Sequence, residues 1–223
     1  MNSDRLGYAG HPLHCDPQED AMTNPDYTHL TLVVDRSGSM DTDREEAQAG
    51  INTLLAEQFS LDGKLTVTLS QFDSAFETVE RMRDTQFTYE LVPRGMTALL
   101  DAVGMEVVRT GEDLAALPEG ERPGRVLLVV VTDGQENSSH EYSLDKVREL
   151  LRVQREDFAW EVQFLGADDA AWQGASLGVR TTRFANTGKG KTAVFASMSA
   201  SLATYRGAPP SGSFEMPEEV TTD

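Results

Sequence analysis

A short polar stretch, residues 34–40 with the sequence VDRSGSM, carries side chains that could do chemistry. Asp35 ends an apolar run, and two hydroxyls, Ser37 and Ser39, follow it at alternate positions. Gly38 permits a tight turn between the serines, so the carboxylate and both hydroxyls can point into one small volume. Three interpretations are open: the nucleophile of a phosphotransferase, a polar turn that starts a helix, and part of a metal site.

These interpretations differ in the residues they require. A phosphotransferase of the Asp-x-Asp type needs a second carboxylate where Ser37 stands, so this interpretation is disfavoured. Ser39 or Asp41 could cap a following helix, which is compatible with metal binding. A carboxylate buried at a strand end needs a neutralising partner. Asp35 with two neutral hydroxyls suits a hard cation such as Mg²⁺, which prefers oxygen ligands.

Two more polar residues stand at the ends of predicted elements. Thr97 opens a predicted helix in the segment PRGMTALLDAVG, residues 93–104. Asp133 ends RVLLVVVTD, the most strongly apolar run of the chain, and Gly134 follows it. Each signal is weak alone, because a threonine before an apolar helix is most often a plain N-cap.

The order of strand and helix patterns indicates how these residues could be brought together. Apolar runs and alternating patterns predict strands at 28–35, 64–73, 74–82, 125–133, 159–166 and 179–184. Helical spacing of apolar residues predicts helices at 44–58, 97–110, 144–156, 167–177 and 192–205. This alternation is typical of an α/β domain with a mostly parallel sheet between two helical layers. Ligands of such folds bind beyond the carboxyl ends of the strands.

The ends of the chain lack this periodicity. Residues 1–27, rich in Pro, Gly, Asp and His, are predicted to form a flexible arm, and residues 207–223 a disordered acidic tail. The domain is expected to span residues 28–206. His11, His14 and Cys15 are metal-ligand types, but their crowding disfavours a structural zinc site.

Composition restricts the classes of function. The 223 residues carry a formal charge of −18, which disfavours binding to nucleic acid or to an anionic membrane surface. No apolar run is long enough to span a membrane, and no apolar signal segment opens the chain, so a cytoplasmic location is expected. With a single cysteine the chain cannot form an internal disulfide.

Taken together, three loops resemble the metal-ion-dependent adhesion site (MIDAS) of von Willebrand factor type A (vWA) domains. The matching residues are Asp35-Arg36-Ser37-Gly38-Ser39, then Thr97, then Thr132-Asp133-Gly134. The element order over residues 28–206 is also similar to this family, especially to its compact bacterial and bacteriophage members. The resemblance implies a three-layer α/β/α, doubly wound fold whose six-stranded sheet has the order 3-2-1-4-5-6 and one antiparallel edge strand.

The resemblance also implies a ligand set and a function. A Mg²⁺ ion, or Mn²⁺ or Ca²⁺, would bind Ser37 and Ser39 directly and Asp35 directly or through water. Thr97 and Asp133 would alternate between direct and water-mediated contact. An acidic side chain of a protein partner would complete the coordination. The expected function is therefore a protein-interaction module without catalysis of its own.

Other functions remain as alternatives. Residues 185–192, ANTGKGKT, fit a permissive phosphate-loop pattern in which Lys191 could reach a phosphate of a nucleotide, as in an enzyme. Ala185 replaces the first glycine, however, and the vWA resemblance makes this segment a solvated turn before the last helix. A further alternative is an accessory subunit of an ATP-driven remodelling complex. Asp73 ends another strand, but a hairpin turn with Ser74 is the favoured explanation for it.

Overall fold

A computed structural model describes residues 23–209 and 211–222, which form a sheet between two layers of helices. The strands are β1 (Asn24–Asp35), β2 (Lys64–Phe72), β3 (Phe76–Arg83), β4 (Pro123–Thr132), β5 (Glu161–Ala167), β6 (Arg180–Phe184) and β7 (Glu219–Val220). Their order in the sheet is β3-β2-β1-β4-β5-β6-β7. Only β3 runs antiparallel to its neighbour.

The helices divide between the two faces of this sheet. They are α1 (Arg44–Ser60), α2 (Leu99–Ala115), α3 (Leu144–Asp157), α4 (Trp172–Leu177) and α5 (Gly188–Gly207). Helices α1 and α5 cover one face, and α2, α3 and α4 cover the other. Among the described residues, no helix is long and apolar enough to cross a membrane.

The central strands are apolar on both sides because helices cover both sides. In β1, Leu32 and Val34 pack toward α1 and α5, whereas Val33 packs toward α2. In β4, Val129 and Val130 likewise face opposite layers. A strand buried on two faces shows a continuous apolar run instead of an alternating pattern. The sequence pattern at 28–35 and 125–133 therefore predicted these strands correctly.

The predicted fold class is confirmed, including the order 3-2-1-4-5-6 and the antiparallel edge strand. The structure adds β7, which pairs in parallel with β6 at the other edge. Phe214 precedes it, is only 1% exposed and packs edge-on against Tyr205 with ring centroids 5.8 Å apart. The expectation of a disordered tail is therefore corrected for residues 211–222. Its proline-rich, acidic composition did not indicate that Phe214 would be buried, or that a short strand would pair with the edge of β6.

The start of the domain also differs from the prediction. Strand β1 begins at Asn24, and Tyr27 is buried with its hydroxyl 2.8 Å from Thr66 Oγ1. The last residues of the predicted arm 1–27 thus belong to the sheet. Residues 1–22, with the His/Cys cluster of the sequence analysis, lie outside the described residues.

The sheet topology places three polar loops at one edge. Strand β1 pairs with β2 on one side and with β4 on the other. Strands β2 and β3 are therefore added to one side of β1 and the later strands to the other side, which makes the gap between β1 and β4 the switch point of the sheet. The loops that follow Asp35 and Thr132 therefore lie side by side at the carboxyl ends of these strands. The loop that leads into α2 adjoins them, because the N–H of Gly38 donates to the carbonyl of Gly95 at 3.3 Å.

Candidate metal centre

Asp35 is a fully buried carboxylate that is held at both oxygens. Its Oδ1 accepts a hydrogen bond from the N–H of Ser37 at 2.6 Å, and its Oδ2 accepts one from Thr132 Oγ1 at 2.5 Å. Burial raises the pKa of Asp35 to about 6, although the hydrogen bonds from Thr132 and Ser37 act in the opposite direction. The loop thus fixes the carboxylate in one orientation at the end of β1.

Hydroxyl groups connect this loop with the loop after β4. Ser37 Oγ lies 3.0 Å from Ser39 Oγ, and Ser39 Oγ donates to Asp133 Oδ1 at 2.5 Å. Asp133 is itself only 5% exposed. Four of the five predicted ligands, Asp35 among them, therefore lie in one hydrogen-bonded cluster.

The fifth residue, Thr97, faces the same small space, which adjoins Gly134. A Cβ atom built on Gly134 would lie 2.9 Å from Thr97 Oγ1, 3.2 Å from Ser39 Oγ and 3.3 Å from Asp35 Oδ2. Oxygen atoms from two loops thus surround one point on a third loop, and only a glycine leaves this point open. A carboxylate with several hydroxyl oxygens is a donor set that suits a hard divalent cation. The structure brings the five residues together, and their role as metal ligands stays a prediction.

Helix capping does not explain these hydroxyls. Helix α2 begins one residue after its N-cap Ala98, so Thr97 is not the N-cap residue of this helix. The N-cap of α1 is Asp43, which makes no side-chain capping bond, while Ser39 and Asp41 belong to a short 3₁₀ turn. The capping interpretation of Thr97, Ser39 and Asp41 is therefore wrong.

The loop after Asp133 is fastened to the beginning of α2 by side chains that bind backbone. Asn137 Oδ1 accepts from the N–H of Thr97 at 2.9 Å, and the N–H of Asn137 donates to the carbonyl of Thr97 at 3.0 Å. Glu136 Oε2 accepts from the N–H of Leu100 at 2.9 Å. These bonds set the position of Thr97 relative to Asp133. The polar run QENSSHE was the only sequence signal for them.

Two further side chains complete this anchorage, and the sequence analysis missed both. The carboxylate of Asp101 in α2 accepts hydrogen bonds of 2.7–2.9 Å from the N–H groups of three consecutive loop residues, 140–142. Gln173 in α4 accepts from the N–H of Glu136 at 2.7 Å and donates to the carbonyl of Gly134 at 2.9 Å. Gln173 carried no sequence signal, since its partner is a backbone group 39 residues away.

Asp73, the other aspartate at this sheet edge, is neutralised by arginines. Its Oδ2 accepts from Arg36 Nε at 2.9 Å and from Arg94 Nε at 2.7 Å, and its Oδ1 accepts from the N–H of Ala75 at 2.8 Å. Burial alone would raise the pKa of Asp73, but the bonds from Arg94 and Ala75 and the charge of Arg36 lower it. The predicted turn with Ser74 is therefore accompanied by two ion pairs.

Lys191 forms a buried ion pair with Asp133. Its Nζ donates to Asp133 Oδ2 at 3.0 Å, and the two side chains are 2% and 0% exposed. Helix α5 begins at Gly188, earlier than predicted, and Thr187 Oγ1 caps it by accepting from the N–H of Gly190 at 3.1 Å. The expectation of a solvated turn at 185–192 is wrong at Lys191. The lysine that a phosphate loop would need points into the protein instead.

No family model matches the sequence, and no curated protein matches it. Solved structures do. A von Willebrand factor type A structure from Catenulispora acidiphila has a TM-score of 0.54 and 14% identity over 78% of this chain and 42% of that chain. The pilus adhesin SpaC from Lactobacillus rhamnosus GG, in its open conformation, has a TM-score of 0.58 and 14% identity over 79% of this chain and 30% of that chain. The vWF domain of the type V pili tip protein Mfa5 from Porphyromonas gingivalis has a TM-score of 0.56 and 10% identity over 79% of this chain and 95% of that chain.

These similarities define the class of the fold. The chain has the fold of von Willebrand factor type A domains, as the three-loop resemblance predicted. It spans less than half the length of the Catenulispora acidiphila and SpaC chains and nearly the whole of the Mfa5 domain. Among the described residues, no cluster of three or more His, Cys, Asp or Glu side chains could hold a metal ion. A cation at this site would therefore depend on hydroxyl oxygens as well as on carboxylates.

Proposed function

We propose that this chain is a metal-dependent protein-interaction module. A divalent cation, Mg²⁺ or alternatively Mn²⁺ or Ca²⁺, would be held by five side chains, those of Asp35, Ser37, Ser39, Thr97 and Asp133. The observation that carries the proposal is the convergence of oxygen atoms from two loops on the point next to Gly134 in a third loop. Hydroxyls and carboxylates are the ligands that such hard cations take.

A carboxylate of a protein partner would complete the coordination. Two of the five proposed ligands are carboxylates, and the three hydroxyl ligands do not reduce the charge of the cation, so an anionic group is attracted to it. Two proteins with a similar fold are a pilus adhesin and a pili tip protein, which supports a role in interaction. The charge of −18 makes nucleic acid and anionic lipid unfavourable partners. A cytoplasmic location stays a prediction.

A role in binding is favoured over catalysis. Hydrolysis at a metal site needs a general base, and in the part of the chain that the structure describes the nearby candidates are the carboxylates that would hold the cation. His29 is buried among threonines, with its Nδ1 2.8 Å from Thr66 Oγ1. Lys191 is paired with Asp133. These contacts support a module that is not an enzyme.

Calorimetric titration with Mn²⁺ and Mg²⁺ tests the metal site. We expect wild-type protein and Asp41→Ala to bind one cation, whereas Asp35→Ala binds none, because its central carboxylate is gone. Asp41 is a matched control, since it is an exposed aspartate on the same loop. Equal binding by Asp35→Ala and wild type would show that the cation binds elsewhere.

Affinity capture from the native host tests the interaction. Immobilised wild-type protein should retain a partner in Mg²⁺ and release it in EDTA, and Asp35→Ala should retain none. Recovery of the same partner in EDTA would contradict coordination by a partner carboxylate.

A further inference from the structure

The ammonium group of Lys191 lies inside the candidate metal centre, next to Asp133. Asp133 uses its two oxygens differently: Oδ1 accepts from Ser39 Oγ at 2.5 Å, and Oδ2 accepts from Lys191 Nζ at 3.0 Å. Removing a carboxylate and an ammonium from water is costly for each ion, and their mutual attraction offsets this cost only with good geometry. The pair is therefore an unusual feature to find at a site that would bind a cation.

Capping and packing of the first two turns of α5 hold the backbone of Lys191 in this position. The first turn of α5 is capped by Thr187, and a Cβ on Gly190 would lie 2.0 Å from the carbonyl oxygen of Ala185, so the chain enters the helix tightly. The next turn packs Val194 and Phe195 into the core beneath α1. Lys191 is thus fixed by packed neighbours and not by a flexible loop.

We propose that Lys191 is a built-in counterion that lowers the affinity of the centre for divalent cations. This inference rests on the proposed function. A cation held at Asp133 would share that carboxylate with the ammonium of Lys191, and two positive charges at short distance repel strongly inside a protein. In the absence of a cation, the same ammonium neutralises Asp133, whose buried negative charge would otherwise have only the hydrogen bond from Ser39.

The net charge of the centre indicates what Lys191 would do when a cation is bound. Asp35, Asp133 and Lys191 together carry one net negative formal charge, so a bound divalent cation leaves the centre with one net positive charge. Without Lys191 the occupied centre would be neutral. The lysine therefore weakens cation binding and keeps the occupied centre attractive to an anionic group of a partner.

The test compares Lys191→Met with Lys189→Met in Mn²⁺ titrations. Both substitutions remove one positive charge within one turn of α5, but Lys189 is exposed and Lys191 is buried against Asp133. We expect Lys191→Met to bind Mn²⁺ about ten-fold or more tightly than wild type, and Lys189→Met to bind like wild type. Binding by Lys191→Met that is equal to or weaker than that of wild type overturns the inference.

Thermal unfolding supplies a second measurement. In EDTA, Lys191→Met should unfold at a lower temperature than wild type, and saturating Mn²⁺ should raise its midpoint more than it raises that of wild type. Where Lys191→Met does not fold without metal, Lys191→Gln replaces it, since its amide can still donate a hydrogen bond without a charge. Equal Mn²⁺-induced shifts in variant and wild type would count against the inference. Absence of Mn²⁺ binding in wild type and both variants would contradict the proposed function itself.

Discussion

At the residue scale, hydroxyl and carboxylate oxygens of the candidate centre surround a glycine, which has no side chain to fill the space between them. Ser39 and Thr97 contribute hydroxyls, Asp35 contributes a fixed carboxylate, and the space between them exists because residue 134 is glycine. The backbone angle φ of Gly134 is not positive, so its conformation does not require glycine. Glycine is instead required by the closeness of the three oxygen atoms.

Gly134→Ala should therefore remove metal binding. Its Cβ would lie 2.9 Å from Thr97 Oγ1, inside the space that a cation would need. The control is Gly120→Ala, because a Cβ on Gly120 meets nothing within 4 Å. In Mn²⁺ titrations we expect the control to bind like wild type and Gly134→Ala to lose at least about ten-fold in affinity. Unchanged affinity in Gly134→Ala would show that no cation binds among these oxygens.

His29 should make the stability of the fold depend on pH. It is fully buried, its two ring nitrogens lie near Thr66 and Thr31, and burial lowers its pKa from 6.5 to about 4, against a smaller opposite effect of Asp113. A lowered pKa means that the unfolded chain binds the proton first, so this contribution is complete above pH 6.5 and is lost as pH falls toward 4. The loss amounts to about 3 kcal/mol.

Urea unfolding at several pH values checks this pH dependence. His29→Gln should lose less stability than wild type between pH 7.5 and pH 4.5. The control His140→Gln changes an exposed histidine and should keep the wild-type pH dependence. The same slope in all three proteins would mean that His29 does not titrate with a lowered pKa.

The five candidate ligands were predicted because their types and their places at element ends together resemble the MIDAS pattern, and their role as ligands stays a prediction. Lys191 could not be found in this way. Its role depends on which side of α5 faces Asp133, and the GKGK pattern suggested a solvated turn. Asn137 and Gln173 bind backbone groups of other loops, so no spacing in the sequence indicates them.

At the element scale, the loop after β4 is tied to α2 by several hydrogen bonds, although its composition resembles that of an ordinary polar loop. Glu136 and Asn137 bind the first turn of α2, and Asp101 in that helix binds the loop in return. Two elements that carry candidate ligands, Thr97 and Asp133, are thereby fixed to each other. Movement of one is expected to move the other.

Asp101→Asn tests this connection. The carboxylate of Asp101 accepts three backbone N–H groups, and an amide keeps the shape but loses the charge and one acceptor oxygen. We expect the free energy of unfolding to fall by about 1–3 kcal/mol and Mn²⁺ affinity to fall as well. The control is Asp157→Asn, an exposed aspartate at the end of α3. An effect no larger than that of the control would contradict the anchoring role.

Most element boundaries followed from apolar periodicity, and the exceptions have physical causes. Helix α5 starts at Gly188 because Thr187 caps it, although glycines at 188 and 190 are poor helix formers and predicted a turn. Strand β7 has two residues, too few for any periodicity to be visible. Such a strand forms only because the edge of β6 is open to receive it.

At the scale of the whole molecule, α5 links the candidate metal centre to the C-terminal segment. Lys191 contacts Asp133 at the beginning of this helix, and Tyr205 contacts Phe214 near its end. Between these contacts, α5 packs along α1 through Val194 and Met198. Residues 211–222 therefore help to hold the helix that carries the proposed counterion.

Phe214→Ala should show that this segment belongs to the folded domain. Phe214 is 1% exposed, packs against Tyr205, and its N–H donates to Glu161 Oε1 at 3.2 Å. Loss of a buried phenyl ring costs about 3–5 kcal/mol, so the midpoint of urea unfolding should fall steeply. Phe158→Ala, which truncates a phenylalanine that is 63% exposed, should change stability by no more than about 0.5 kcal/mol. Equal, small effects in the two variants would mean that residues 211–222 contribute little to the fold.

A large effect of Phe214→Ala alone would instead show that a segment with the composition of a disordered tail stabilises the domain around α5.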